Sequence, residues 1–154
     1  MSATRVLTVS AMTVLFLVGG ARLSVLAATP QPNPCKLVTV AEIQQIVGPL
    51  KEAPTTTDPS TGEIACTFHP TKGLDFLEIS LHDGDLASWK RRNGGKNPEA
   101  APEFGSGSFA TPDFEGFAEL YAKKGAVVLR VSVPKGGQSV EIVKAVARKA
   151  LPRL

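Results

Sequence analysis

Apolar and polar side chains alternate in several short segments of the chain, a pattern typical of strands with one buried face. The alternation covers residues 64–68 and 77–81, and it recurs on both sides of a two-residue turn at Lys124-Gly125. A further short strand is expected over residues 108–110, inside a long connection rich in Gly, Pro and Ser. The pattern therefore predicts about five strands.

The register of the two predicted hairpins follows from the requirement that paired apolar rows face the same side of the sheet. In the first hairpin this requirement places Cys66 opposite Leu77. In the second it places Glu119 opposite Arg130, a favourable cross-strand pair on the face away from the apolar row.

The first predicted helix has clear signals at both ends. Thr39 and Glu42 have the spacing of a capping box, and Val38 and Ile43 stand where a hydrophobic staple belongs. The helix ends at Gly48, because glycine suits the left-handed position that follows a helix.

Two more helices follow from apolar spacing. One begins near Asp85, with Leu86 and Trp89 facing inward, and the other spans residues 139–151 with a continuous apolar stripe. The order of elements favours an α+β fold: an antiparallel sheet of about five strands with about three helices packed mainly on one face.

Residues 1–28 have the three parts of a secretory signal peptide. Arg5 gives a basic start, residues 6–20 are apolar and uncharged, and residues 25–27 offer a small-residue cleavage site. A single-pass anchor is the alternative, but fifteen residues of helix span about 22 Å and a bilayer core measures about 30 Å. Extending the run to Ala28 would place Arg22 near the membrane edge, so cleavage is favoured.

The rest of the chain is expected to form an extended leader over residues 29–34 and one domain over residues 35–154. The first cysteine, Cys35, follows Pro34 rather than the small residues that precede a lipid-modified cysteine. We therefore expect no stable membrane anchor after cleavage, and a location in the periplasm or the medium.

Charge gives little support to nucleic-acid binding. Loss of Arg5 and Arg22 with the signal peptide lowers the formal net charge from +3 to +1. A broad phosphate-binding surface requires many more cations than this balance supplies.

Two cysteines in an exported domain predict one disulfide, between Cys35 and Cys66. Each thiol then has its use in the other, so neither is expected to act as a nucleophile or a metal ligand.

No catalytic, cofactor or metal-binding motif stands out. His69 and His82, the two histidines of the chain, lie at opposite ends of the first hairpin, roughly 26 Å apart along the strands, and are expected to be exposed. A small hydrolase remains an alternative, with its polar groups converging near one strand end; the candidates are Glu78, His82, Asp83 and Asp85.

Two surfaces are candidates for a ligand or partner. The first is the cluster Trp89, Lys90, Arg91 and Arg92 with Lys96, which would suit an anionic ligand. Its plainer interpretation is a core tryptophan beside solvated cations that favour a helix C-terminus.

The second surface is the outer face of the last hairpin, where Phe117, Tyr121 and Val128 align. If no helix covers that face, it forms an exposed apolar patch suited to a protein partner in a structural or interaction role.

Several short motifs together resemble a family of exported bacterial proteins of unknown function that is common among actinobacterial lipoproteins. They are Pro34-Cys35-Lys36-Leu37-Val38-Thr39, Glu42, Gly48, Cys66-Thr67-Phe68 and Tyr121-Ala122-Lys123-Lys124-Gly125 with the alternating residues that follow. The resemblance implies an exported α+β domain with paired cysteines and supplies no catalytic residue. This chain lacks the lipid-anchor cysteine common in the family.

These observations favour an exported, non-enzymatic binding or accessory module of the bacterial envelope or medium. The expected partner is a small molecule or an envelope protein, with no cofactor, and the expected state is a monomer.

Overall fold

A computed structural model describes residues 32–57, 63–93 and 98–154. The predicted signal peptide, residues 29–31 of the predicted leader and Lys96 lie outside the described residues. No helix within those described has both the length and the apolar content needed to cross a membrane.

The described residues form a seven-stranded antiparallel sheet in the order β1-β2-β3-β7-β6-β5-β4. The strands are β1 (Thr55–Thr56), β2 (Ile64–Phe68), β3 (Leu77–Asp83), β4 (Glu99–Ala100), β5 (Phe109–Phe114), β6 (Phe117–Lys124) and β7 (Val127–Pro134). The α+β class is confirmed, but the expected five strands are too few. The two additional strands, β1 and β4, are the sheet edges, and two exposed residues each are too short to show any alternation.

The first hairpin pairs Cys66 with Ile79, not with Leu77. The predicted pairing is wrong because the chain after β2 first pairs with an earlier segment. Pro70 bridges Leu50, and the backbone carbonyl oxygen of His69 accepts a hydrogen bond from the Lys51 N–H at 2.8 Å. The register therefore shifts by two residues, which leaves each side chain on its predicted face.

The second hairpin shows the same two-residue shift, so that Glu119 lies opposite Ser132 and Tyr121 lies opposite Arg130. Its turn comprises Gly125 and Ala126, one residue later than predicted. The first residue of a tight hairpin turn must have positive φ, and Gly125 meets this requirement with φ +61°.

The helices are α1 (Val40–Val47), α2 (Leu86–Asn93) and α3 (Ser139–Ala150). Helix α1 has the predicted capping box, with the Thr39 hydroxyl and the Glu42 carboxylate each accepting from the other's backbone N–H. Helices α1 and α3 cover the apolar face of the sheet, and the main core lies between them and the strands. Helix α2 packs on the opposite face, where it forms a second, smaller core with β5, β6 and β7.

The Cys35–Cys66 disulfide is confirmed and joins the segment before α1 to β2, with 5.1 Å between the two Cα atoms. The two cysteines are 31 residues apart in the sequence. Closing a loop of that length removes denatured-state entropy worth about 3.5 kcal/mol in the chain-entropy account. That is a large share of the roughly 5–15 kcal/mol by which small domains are stable.

Candidate functional site

Helix α2 is positioned by its cap and by two apolar side chains. Asp85 accepts hydrogen bonds from the backbone N–H and the hydroxyl of Ser88, both at 2.8 Å, as expected of a helix N-cap. These bonds hold the pKa of the Asp85 carboxyl below its usual range. Leu86 is buried and Trp89 is half-buried against the sheet, so this face of α2 is fixed.

Four rings form a continuous stack between α2 and the sheet. The Trp89 ring lies 4.5 Å from His82 and 5.6 Å from Tyr121, between centroids, and Tyr121 lies 4.8 Å from Phe109. Tyr121 and Phe109 are fully buried. The stack therefore anchors α2 to β3, β5 and β6.

Three consecutive cations project from α2 around this stack. The Arg92 guanidinium lies 4.5 Å from the centroid of Trp89, and the Lys90 ammonium lies 6.0 Å from that of Phe109. Arg91 donates to the Ser88 hydroxyl at 2.8 Å. All three cations are exposed, and Arg91 also interacts electrostatically with the Asp85 carboxylate at the start of the helix.

A buried carboxylate, Glu119, lies beneath the ring stack. Arg130 donates from Nε at 2.9 Å and from Nη2 at 2.6 Å to Glu119 Oε1, and the Tyr121 hydroxyl donates to Oε2 at 2.6 Å. Asn93, the last residue of α2, donates to the Tyr121 hydroxyl at 3.0 Å. We name Glu119, Arg130 and Tyr121 the charge cluster. Through Asn93 it links the end of α2 to the centre of the sheet.

The environment of this cluster shifts the pKa values of its members. Burial, the largest single effect, lowers the pKa of Arg130, but the combined effects of Glu119, Tyr121 and Glu78 outweigh it, so that this pKa is raised overall. Burial, reinforced by Glu119, raises the pKa of Tyr121. Arg130 therefore stays charged and Tyr121 stays a hydrogen-bond donor over the whole physiological range.

The cluster continues toward solvent through two more carboxylates. Arg130 Nη1 lies 3.3 Å from Glu78 and 3.5 Å from Glu63. Burial raises the pKa of Glu78, although Arg130 opposes this effect. Arg130, Glu78 and Glu63 are partly exposed, whereas Glu119 is buried. We therefore interpret the cluster as a support for helix α2.

His82 is buried, contrary to the expectation that it is exposed, because Trp89 of α2 covers its ring. Burial lowers the pKa of His82. Its Nε2 lies 2.9 Å from the Ser80 hydroxyl and 3.4 Å from Glu63. A catalytic triad needs the acid on the other ring nitrogen, and Ser80 has no exposed surface through which a substrate would reach it.

The four residues of the hydrolase alternative have different surroundings. Glu78 and His82 face the charge cluster, but Asp83 is an exposed residue at the end of β3 and Asp85 caps α2. Within the described part of the chain, no group of three His, Cys, Asp or Glu side chains could hold a metal ion.

The outer face of the last hairpin is largely covered. Tyr121 and Val128 are buried under α2, and Phe117, at the other end of β6, is half-buried beside Phe76 with 5.8 Å between ring centroids. The apolar patch proposed from the sequence required these side chains to be exposed, and α2 removes most of it.

The roles of Glu63 and Asn93 in this region were not predicted from the sequence. The pairing of Glu119 with Arg130 on one face was a usable signal, because a charged pair inside an apolar hairpin points to a cluster beneath a covering element. Nothing in the local patterns around Glu63 or Asn93 indicates that they reach it.

Comparison with known proteins adds little. No family model matches the chain, and no curated protein matches it. A crystal structure of a GTP binding regulator from Thermotoga maritima aligns with 78% of this chain and 93% of its own, at 15% identity and a TM-score of 0.38. A likeness this weak supports no argument about this chain.

Proposed function

We propose that this protein is an exported binding module that acts outside the cytoplasm without catalysis, and that its ligand is a phosphate-bearing anion held by helix α2. The binding region is named here the α2 surface: Trp89, Lys90, Arg91 and Arg92. The observation that carries the proposal is the arrangement of three exposed cations around one fixed aromatic stack.

The chemistry of these side chains suits phosphate. Guanidinium groups offer several N–H donors in a planar fork that matches phosphate oxygens, and lysine adds a point charge. Because Arg92 is already placed by Trp89 and Arg91 by Ser88, less side-chain entropy is lost when a ligand binds.

The buried cluster supports the α2 surface from below. Asn93 and the ring stack tie both the end and the middle of α2 to the sheet through Tyr121, which Glu119 fixes. A binding surface on a rigid element holds its groups more precisely than one on a loop.

Export is the second part of the proposal. A disulfide that closes a long loop is typical of proteins in oxidising compartments. The secretory pattern of residues 1–28 points the same way, and an anionic envelope component or a soluble phosphate compound would be accessible there.

Titration with sodium tripolyphosphate tests the binding proposal. Trp89 is the single tryptophan of the chain, so its fluorescence reports directly on the α2 surface. We expect saturable binding that weakens with salt, and an affinity about tenfold lower in the triple variant Lys90→Ala/Arg91→Ala/Arg92→Ala.

The matched control removes three exposed cations elsewhere: Lys36→Ala/Lys51→Ala/Lys149→Ala. It carries the same net charge and should bind within about twofold of the wild type, a difference of about 0.4 kcal/mol. Equal losses in both triple variants would mean non-specific attraction, and binding by the α2 variant at wild-type strength would exclude this surface.

A further inference from the structure

A cleft of about 460 Å³ lies on the opposite side of the sheet from α2, where β6 and α3 end. We name it the α3 cleft; it is lined by Glu103, Phe104, Lys124, Ala147, Arg148, Leu151 and Pro152. Its volume falls in the range of roughly 300–1,000 Å³ that is usual for small-molecule sites.

The floor of the α3 cleft is apolar. Phe104 and Ala147 are both buried members of the main core, and Leu151 and Pro152 continue the apolar wall beyond the end of α3. Such a surface favours a hydrocarbon chain, because removing apolar groups from water onto an apolar surface is favourable.

Two cations stand at the rim in defined positions. The Lys124 ammonium donates to the carbonyl oxygens of Leu151 at 3.2 Å and Pro152 at 2.8 Å. The third N–H of this ammonium takes no part in these two hydrogen bonds. The Arg148 guanidinium lies 5.7 Å from the centroid of the Phe104 ring. Both positive groups therefore border the apolar floor.

We propose that the α3 cleft binds a single-chain fatty acid, with its hydrocarbon tail on the Phe104 floor and its carboxylate between Lys124 and Arg148. The combination of an apolar floor and paired cations matches an amphipathic anion better than a neutral or cationic ligand. This site is separate from the α2 surface and does not depend on the proposed function.

Two features oppose an anion here. The carbonyl groups at the end of α3 carry partial negative charge, but Lys124 bonds to two of the carbonyls beyond that end and compensates for it. Glu103 adds a full negative charge at the rim, so its removal should strengthen binding. Removing the charge of Glu103 and removing the charge of Arg148 should therefore change the affinity in opposite directions.

The test is a two-dimensional amide NMR titration of the domain with decanoate at submicellar concentrations. We expect saturable shifts at residues of the α3 cleft, and an affinity about tenfold weaker in Arg148→Gln, which loses a charge-assisted hydrogen bond. Glu103→Gln should bind a few times more tightly. Lys149→Gln, which removes the exposed neighbouring cation, is the matched control and should bind like the wild type.

Decanol serves as the ligand control, since it keeps the tail and lacks the charge, and it should bind about tenfold more weakly than decanoate. Shifts that do not saturate, shifts centred away from the cleft, or equal affinity for decanol and decanoate would overturn the proposal. A loss of affinity in Lys149→Gln as large as in Arg148→Gln would overturn it as well.

Discussion

Glu119 illustrates how single residues determine this structure. An isolated carboxylate buried at this depth is very unfavourable, and Arg130 and Tyr121 offset the cost by donating three hydrogen bonds to its two oxygens. The sequence predicted Glu119 and Arg130 on one face. It did not predict Tyr121 as the third member, because the pattern of a hairpin does not show whether a helix covers it.

The Arg130→Met variant should therefore be strongly destabilised. Removing the guanidinium leaves the Glu119 carboxylate buried without its countercharge, at a cost of about 3–5 kcal/mol. Urea denaturation measures the free energy of unfolding, and the double variant Arg130→Met/Glu119→Met should recover much of the loss. A single variant as stable as the double variant would contradict this account.

Among the helices, α1 is held at its start by the Glu42 carboxylate, which accepts hydrogen bonds from two different residues. Glu42 accepts from the Thr39 N–H at 3.0 Å within the capping box, and from Arg153 at 2.7 and 2.8 Å. The Arg153 hydrogen bonds, followed by the Thr39 N–H, lower the pKa of Glu42 to about 2. This contact joins the first helix to the C-terminal end of the chain.

The lowered pKa predicts a specific dependence of stability on pH. An unfolded glutamate titrates near pH 4.3, so the contribution of Glu42 is complete above that pH and is lost as the pH falls toward about 2. Glu42→Gln keeps a capping side chain and removes the charge. Its melting temperature should be several degrees below the wild type at pH 7, and the two should converge toward pH 2.

Glu99→Gln is the control for this experiment, because it neutralises an exposed carboxylate on the edge strand β4. Its melting temperature should follow that of the wild type at every pH. A gap between wild type and Glu42→Gln that stays constant down to pH 2 would disprove the assigned role.

The two hairpins show what a sequence pattern determines and what it leaves open. Alternation with a period of two assigns each side chain to a face, and those assignments are correct in β2, β3, β6 and β7. It does not fix the pairing, because a shift by two residues preserves every face. The true registers depend on Pro70 pairing with Leu50 and on Gly125 as the first turn residue.

For the whole molecule, the composition of the two sheet faces sets the architecture. The apolar face carries α1, α3 and the main core, whereas the other face carries α2 over the aromatic stack and the charge cluster. The candidate α2 surface and the α3 cleft consequently lie on opposite sides of the sheet. The α2 surface could be predicted from the sequence, because its residues are consecutive in the chain.

The α3 cleft had no comparable signal. Its lining comes from the short helical turn around Phe104, the end of β6 and the end of α3, which are far apart in the sequence. Only tertiary packing brings Lys124 to the carbonyl groups beyond α3. Local sequence patterns do not predict a cluster that forms only through tertiary packing.

We propose that the mature protein is an exported domain, closed by a disulfide and able to bind a ligand. The most direct test is the mass, under non-denaturing and non-reducing conditions, of the protein recovered from its own host. We expect a chain that starts near Ala28 and lacks the hydrogens of two thiols, with any bound anion seen as added mass that denaturation removes. A full-length chain with Cys35 and Cys66 reduced would contradict it.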